Sequence, residues 1–261
     1  MESLTDAASA GRLDKLQHLL NIRESSASLA EAEVQELVIA AARNARLDTI
    51  RFLFERYPSI SVDEYSIYAA TYSGSIPLLA IFLDKDPASI NTTIDRRGSP
   101  LAIATINSRP IEYLKFMLDK GADPNLPLDV AVDTPLAMVA AFYNDTTAVD
   151  LLLRHGAKLE HSGALLAATK RNNETMVRYL LLHGADHDTD WYRPDLLPNM
   201  MPLHKAAELG HSGIVRAFLE HGAKVDAKDW TNRTPEEVVN AVEKATGKDL
   251  SEIKNILDEF R

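Results

Sequence analysis

The sequence predicts an all-α solenoid built from stacked helix–turn–helix units. Three observations predict it. First, a leucine-rich segment ending in Gly-Ala recurs at Phe116–Ala122, Leu151–Ala157, Leu180–Ala185 and Phe218–Ala223, with Gly121, Gly156, Gly184 and Gly222 spaced on average about 34 residues apart, a period that marks stacked repeats. Second, a helix-start phrase precedes most copies: Ser99-Pro100-Leu101-Ala102, Thr134-Pro135-Leu136-Ala137, Met201-Pro202-Leu203-His204 and Thr234-Pro235-Glu236-Glu237. Third, composition is that of a globular chain, with 261 residues, 46% hydrophobic and 25% charged, so a sizeable core can form.

Each element follows from local chemistry. A hydroxyl before proline caps a helix whose first turn tolerates the ring, and glycine stops a helix in the left-handed region. Between start and stop, two short helices fit, as in Pro202–Leu209 and Ser212–Glu220. Ala206 and Ala207 leave room for close approach, while Ile214, Val215, Phe218 and Leu219 form a stripe at helical spacing. One such pair cannot cover its own apolar face, whereas a stack can.

The stretch Met201-Pro202-Leu203-His204-Lys205-Ala206-Ala207-Glu208-Leu209-Gly210-His211, followed by Ile214-Val215 and His221-Gly222-Ala223, closely resembles the ankyrin-repeat consensus. Degenerate copies surround Ala7-Ala8, Ala40-Ala41-Ala42 and Tyr68-Ala69-Ala70. The resemblance implies an ankyrin-type solenoid of about eight repeats, curved, with capping terminal repeats. One domain over 1–261 is expected, with repeats near 3–30, 31–62, 63–95, 96–130, 131–161, 162–198, 199–230 and 231–261. The last unit, with Ile253, Ile256, Leu257 and Phe260 turned inward, reads as a cap. Asn21–Glu33, polar and alanine-rich, reads as a loose connection.

Composition excludes several function classes. The absence of cysteine removes disulfides, thiolate nucleophiles and thiolate metal sites. A net charge of −10 opposes phosphate backbones and anionic membrane surfaces, so neither nucleic acid nor membrane is an expected partner. The N-terminus lacks a basic start and apolar run, and no stretch approaches a spanning helix. A cytoplasmic, monomeric protein is therefore expected, with nuclear entry left open.

No catalytic constellation emerges. His155, His183 and His221 share one slot before Gly-Ala and read as helix C-terminal groups. In the resemblance His204 links neighbouring turns. His18, His161 and His187 lack zinc-ligand spacing, and neither a phosphate loop nor a nucleophile elbow is present. No catalytic residue, cofactor or metal is expected.

Departures from the repeat are more informative, because insertions map to loops on the binding face. The finger from Ala185 to His204 runs about five residues longer than its counterpart from Ala88 to Ala102, and it gathers Trp191, Tyr192, Arg193, Met200 and Met201. Trp230 and Arg233 occupy the next finger, and Arg96 and Arg97 an earlier one. Aromatic and arginine side chains are the types enriched at interaction hot spots. In the resemblance the first helix of each unit faces a concave groove, where the variable positions here include Tyr72, Phe142, Lys170, Arg171, Lys205 and Glu208. Tyr72 and Phe142 equally suit packing between repeats. The expected role is a non-catalytic scaffold that holds a partner protein or peptide, acidic or phosphorylated, through finger tips and groove. The alternative is a small-molecule or catalytic pocket between the long sixth finger and the first helices of repeats five to seven, walled by Trp191, Tyr192, Met200, Met201 and Phe142, with His187, His204 or Glu208 as polar groups.

Overall fold

A computed structural model describes residues 2–95, 97–126, 134–188 and 201–261. They divide into two compact units, 1–132 and 133–261. The first contains α1 (Leu4–Ala10), α2 (Leu13–Glu24), α3 (Glu31–Arg43), α4 (Leu47–Arg56), α5 (Glu64–Ser73), α6 (Ile76–Lys85), α7 (Pro100–Ile106) and α8 (Ile111–Asp119). The second contains α9 (Pro135–Phe142), α10 (Thr147–Arg154), α11 (Ala164–Lys170), α12 (Glu174–Leu182), α13 (Pro202–Leu209), α14 (Ser212–Glu220), α15 (Pro235–Thr246) and α16 (Ser251–Glu259). Among the described residues there is no β-strand, only a bridge between Ile94 and Gly98 in a tight turn.

The helix starts lie where hydroxyl–proline pairs place them. Ser99, Thr134 and Thr234 cap α7, α9 and α15, each accepting the amide three residues on, with proline at the first helical position. Met201 holds the same position before α13 and makes no side-chain cap. Consecutive helices pair, α1 with α2 through α15 with α16. Within the first unit the first helices α1, α3, α5 and α7 pack in a row, as do α9, α11, α13 and α15 in the second. Alanines make that row possible: Ala41, Ala70, Ala104, Ala137, Ala168 and Ala207 are fully buried.

The second helices supply the larger side chains. Leu16, Leu53, Phe82, Leu114, Leu152, Leu180 and Phe218 are fully buried, each contributing about 1.5–3 kcal/mol of transfer free energy. Phe54 meets Phe82 edge-on at 5.2 Å.

Two local expectations need correction. The Asn21–Glu33 connection is shorter and better held than its composition suggests, because α2 runs to Glu24 and α3 begins at Glu31. Ser25 and Ser26 hydroxyls donate back to Ile22 O and Arg23 O, and Arg23 reaches Glu33 across the turn. In the last unit Ile253, Ile256 and Leu257 are buried, but Phe260 is 36% exposed. The helix ends at Glu259, so Phe260 leaves the apolar stripe and lies beneath the Arg216 guanidinium.

A recurrent clasp joins neighbouring pairs. The residue after the left-handed turn that follows a first helix reaches back to the last-turn carbonyl of the preceding first helix: Arg46 to Ser9 O, Arg109 to Tyr72 O, His211 to Thr169 O and Lys248 to Leu209 O. Helix C-termini carry orphan carbonyls and partial negative charge, and a donor side chain relieves both.

Candidate partner-binding surface

Among the described residues, the tip after α14 is a closely hydrogen-bonded turn. Asp229 organises it: one carboxylate oxygen accepts Thr231 N–H at 2.8 Å, Thr231 Oγ1–H at 2.6 Å and Arg233 N–H at 2.9 Å. The Arg233 guanidinium pairs with the other oxygen at 3.3 Å. Burial of Asp229, whose side chain is 7% exposed, opposes its ionisation, but the hydrogen bonds from Thr231 and Arg233 outweigh that cost and hold its carboxyl below the usual range. Beneath the tip, buried His204 donates from Nε2 to Ala227 O at 3.0 Å and Arg233 O at 2.9 Å. Burial pushes His204 below its ordinary pKa despite those carbonyls. Its Nδ1 is buried without a partner among the described residues.

Trp230 projects from this frame 59% exposed. Arg233, expected beside it as a contact group, bonds Asp229 and Thr231 and so closes the turn as well.

The first-helix faces divide their expected residues between the two units. In the second, Phe142 is 36% exposed and lies under the Arg171 guanidinium at 4.6 Å, which ties the end of α9 to α11. Lys170 is exposed on the last turn of α11. Lys205 pairs with Glu208 at 3.0 Å on α13. In the first unit, Tyr72 is 50% exposed and stacks on Tyr68 at 5.7 Å, while Arg97 covers the Tyr68 ring at 4.4 Å and Arg109 the Tyr72 ring at 5.8 Å. Sequence reading had singled out Tyr72 and Arg97 but missed Tyr68 and Arg109. The i, i+4 spacing of the two tyrosines was the available signal for the first.

Trp191, Tyr192, Arg193, Met200 and Arg96 lie outside the described residues. Of the alternative pocket's polar groups, His204 is committed to two carbonyls and Glu208 to Lys205. A cleft of about 300 Å³ does occur in the second unit, between α14 and α16, lined by Ser212, Gly213, Arg216, Glu252, Asn255, Ile256 and Glu259. Its Arg216 and Glu259 neutralise each other at 2.8 Å. Asp186, His187 and Asp188 place one donor atom each within 4.8 Å of one another. Within the group, His187 bonds Asp188 and the Asp188 amide donates to Asp186.

The histidines of the Gly-Ala slot cap helix ends. Nδ1 of His155, His183 and His221 lies 2.8–2.9 Å from the carbonyl four residues earlier. The glycine after each takes φ of +85° to +92°, as does Gly121 at +89°. No helix among the described residues is long and apolar enough to cross a membrane.

Comparison with known proteins agrees with this architecture. A family model described as ankyrin repeats (3 copies) matches residues 66–162 and 137–229. An ankyrin repeat protein of fowlpox virus (strain NVSL) is 31% identical over 140 residues, 51% of this chain and 39% of that one. The mouse B-cell lymphoma 3 protein homolog is 29% identical over 150 residues, 54% of this chain and 32% of that protein. The chain thus spans well under half the length of these curated relatives. The crystal structure of the human ASB11 ankyrin repeat domain superposes with a TM-score of 0.65 at 17% identity, covering 86% of this chain and 97% of that one. Helix pairs, clasps and matches together establish that the chain belongs to the ankyrin-repeat family.

Proposed function

We propose that the chain is a non-catalytic scaffold that binds a partner protein or peptide through its finger tips and first-helix faces. Ankyrin repeats in general are protein–protein interaction modules. The observation that carries the reading for this chain is Trp230, a large apolar side chain 59% exposed on a tip that Asp229, Arg233 and His204 hold in one conformation. A rigid tip loses little entropy on docking, and tryptophan is the side chain most enriched at hot spots. Tyr72, Lys170 and Arg171 extend the candidate contact residues over the first helices, and Trp191, Tyr192, Arg193, Arg96 and Arg97 extend them over the fingers.

The test is quantitative affinity capture from native extract with wild type and Trp230→Ala, after checking that both unfold at the same denaturant midpoint. A partner retained by wild type and lost by the folded variant supports the reading. Equal capture by both removes the tip from the site.

A further inference from the structure

One imidazole holds both legs of the finger that carries Trp230. His204, in the first turn of α13, is buried, and its Nε2 lies 3.0 Å from Ala227 O and 2.9 Å from Arg233 O. Both partners are carbonyl oxygens, so Nε2 carries the proton and shares it between them. Ala227 lies on the chain entering the tip and Arg233 on the chain leaving it, and the Asp229 amide closes the turn onto the same Arg233 carbonyl at 2.9 Å. The corresponding positions of α7, α9 and α15 hold Ala102, Ala137 and Glu237, so among these helices α13 alone offers a ring. Its surroundings suit the neutral form. Nδ1 is buried without a partner among the described residues. Three residues earlier, where α7, α9 and α15 have the hydroxyls of Ser99, Thr134 and Thr234, stands Met201. A proton on Nδ1 would therefore be a buried donor with no acceptor. Burial holds the ring below its ordinary pKa. The charged groups that face it among the described residues both come from the finger: Asp229 favours the cation and Arg233 opposes it. Asp229, its own carboxyl below the usual range, stays ionised where the ring titrates.

We propose that His204 is a positioning residue for the Trp230 contact and works as a proton-operated clasp: the neutral ring holds the finger closed for a partner, and the protonated ring lets the two legs part and takes the indole out of its binding position. The proposal rests on the reading of Trp230 as a partner contact, and adds that binding through the tip weakens in acid. Opening the finger exposes the ring to water, where its pKa returns to about 6.5. The ratio of open to closed finger therefore rises about tenfold for each pH unit below 6.5, until the lower value of the closed state is reached.

The test is fluorine NMR of the full chain labelled with 5-fluorotryptophan, in a Trp191→Phe background so that position 230 gives the signal. From pH 8 to pH 5 that signal should move towards its position in the urea-unfolded chain, while far-UV circular dichroism shows the helices retained. His204→Gln keeps an N–H donor on its side chain and does not titrate, so its signal should hold one position across the same range. His204→Leu has no donor, and its signal should lie at the open position already at pH 8. The comparison of the histidine chain with His204→Gln is decisive by itself, so a failure of His204→Leu to fold leaves the test intact. A merely structural histidine would lower stability when replaced but would give the tip no pH profile that His204→Gln abolishes. The measurement needs no partner, so a titrating tip that captures nothing removes the partner reading alone. A signal unchanged from pH 8 to pH 5, or one that moves alike with histidine and with glutamine at position 204, overturns the proposal.

Discussion

Lys248 Nζ donates to the carbonyl oxygen of Leu209 at 2.7 Å, so a side chain of the last helix pair closes the end of the first helix in the pair before it. Arg46, Arg109 and His211 do the same at their own junctions. The clasp converts the weakest part of each first helix, its C-terminal carbonyls, into a joint between pairs. Replacing Lys248 with Met keeps the apolar stem and removes the donor. Stability should fall by about 0.5–1 kcal/mol, the scale of a cation at an exposed helix end, measured as a lower urea midpoint at unchanged slope.

Gly210 lies beneath that clasp with φ +79°, and a Cβ there would come within 2.8 Å of both Leu250 Cδ2 and Lys248 Nζ. Gly222 has φ +92° and open space where its Cβ would go. Gly222→Ala therefore meets backbone strain alone, about 1 kcal/mol, while Gly210→Ala meets strain and crowding and should cost more. Parallel urea titrations of the two variants measure the difference; equal losses would show that the clasp side chains move aside freely.

Much of this was legible in the sequence, for reasons visible at single residues. Ser99, Thr134 and Thr234 announce helix starts because capping and proline chemistry act within four residues. Gly156, Gly184 and Gly222 announce stops for the same local reason. The clasps were not legible: Arg109 and Tyr72 are 37 residues apart, and only the stacking register of the pairs brings them together. The Arg233–Asp229 pair was not legible either, because nothing along the chain shows which carboxylate the turn sets opposite a basic residue at a finger tip. Phe260 was misjudged because helical spacing continues in the sequence beyond the residue where the helix ends.

Met201 offers a gain of stability. It occupies the cap position of α13 without making a cap, where Ser99, Thr134 and Thr234 each satisfy the amide three residues on. Met201→Thr should supply that acceptor to the His204 amide and raise stability by about 1 kcal/mol. Thermal and urea unfolding of the single variant check it.

His204 and His211 make stability depend on pH. Burial lowers the pKa of both in the folded chain, while the unfolded value is near 6.5. The unfolded state therefore takes up protons first as pH falls. Both groups contribute their full stability above pH 6.5, and that contribution declines as pH drops through 6.5 towards the lower folded values. Urea midpoints at pH 8 should exceed those at pH 5.5. His204→Gln, which lacks a titrating ring, should reduce that difference even though the variant is less stable at pH 8.

The central claim is that Trp230, on its carboxylate-locked tip, touches a protein partner. A photo-crosslinking amino acid at position 230, activated in native extract, measures that contact most directly. The account predicts a discrete adduct that excess unlabelled wild type competes away and excess Trp230→Ala does not. No adduct, or equal competition by the two proteins, would contradict it.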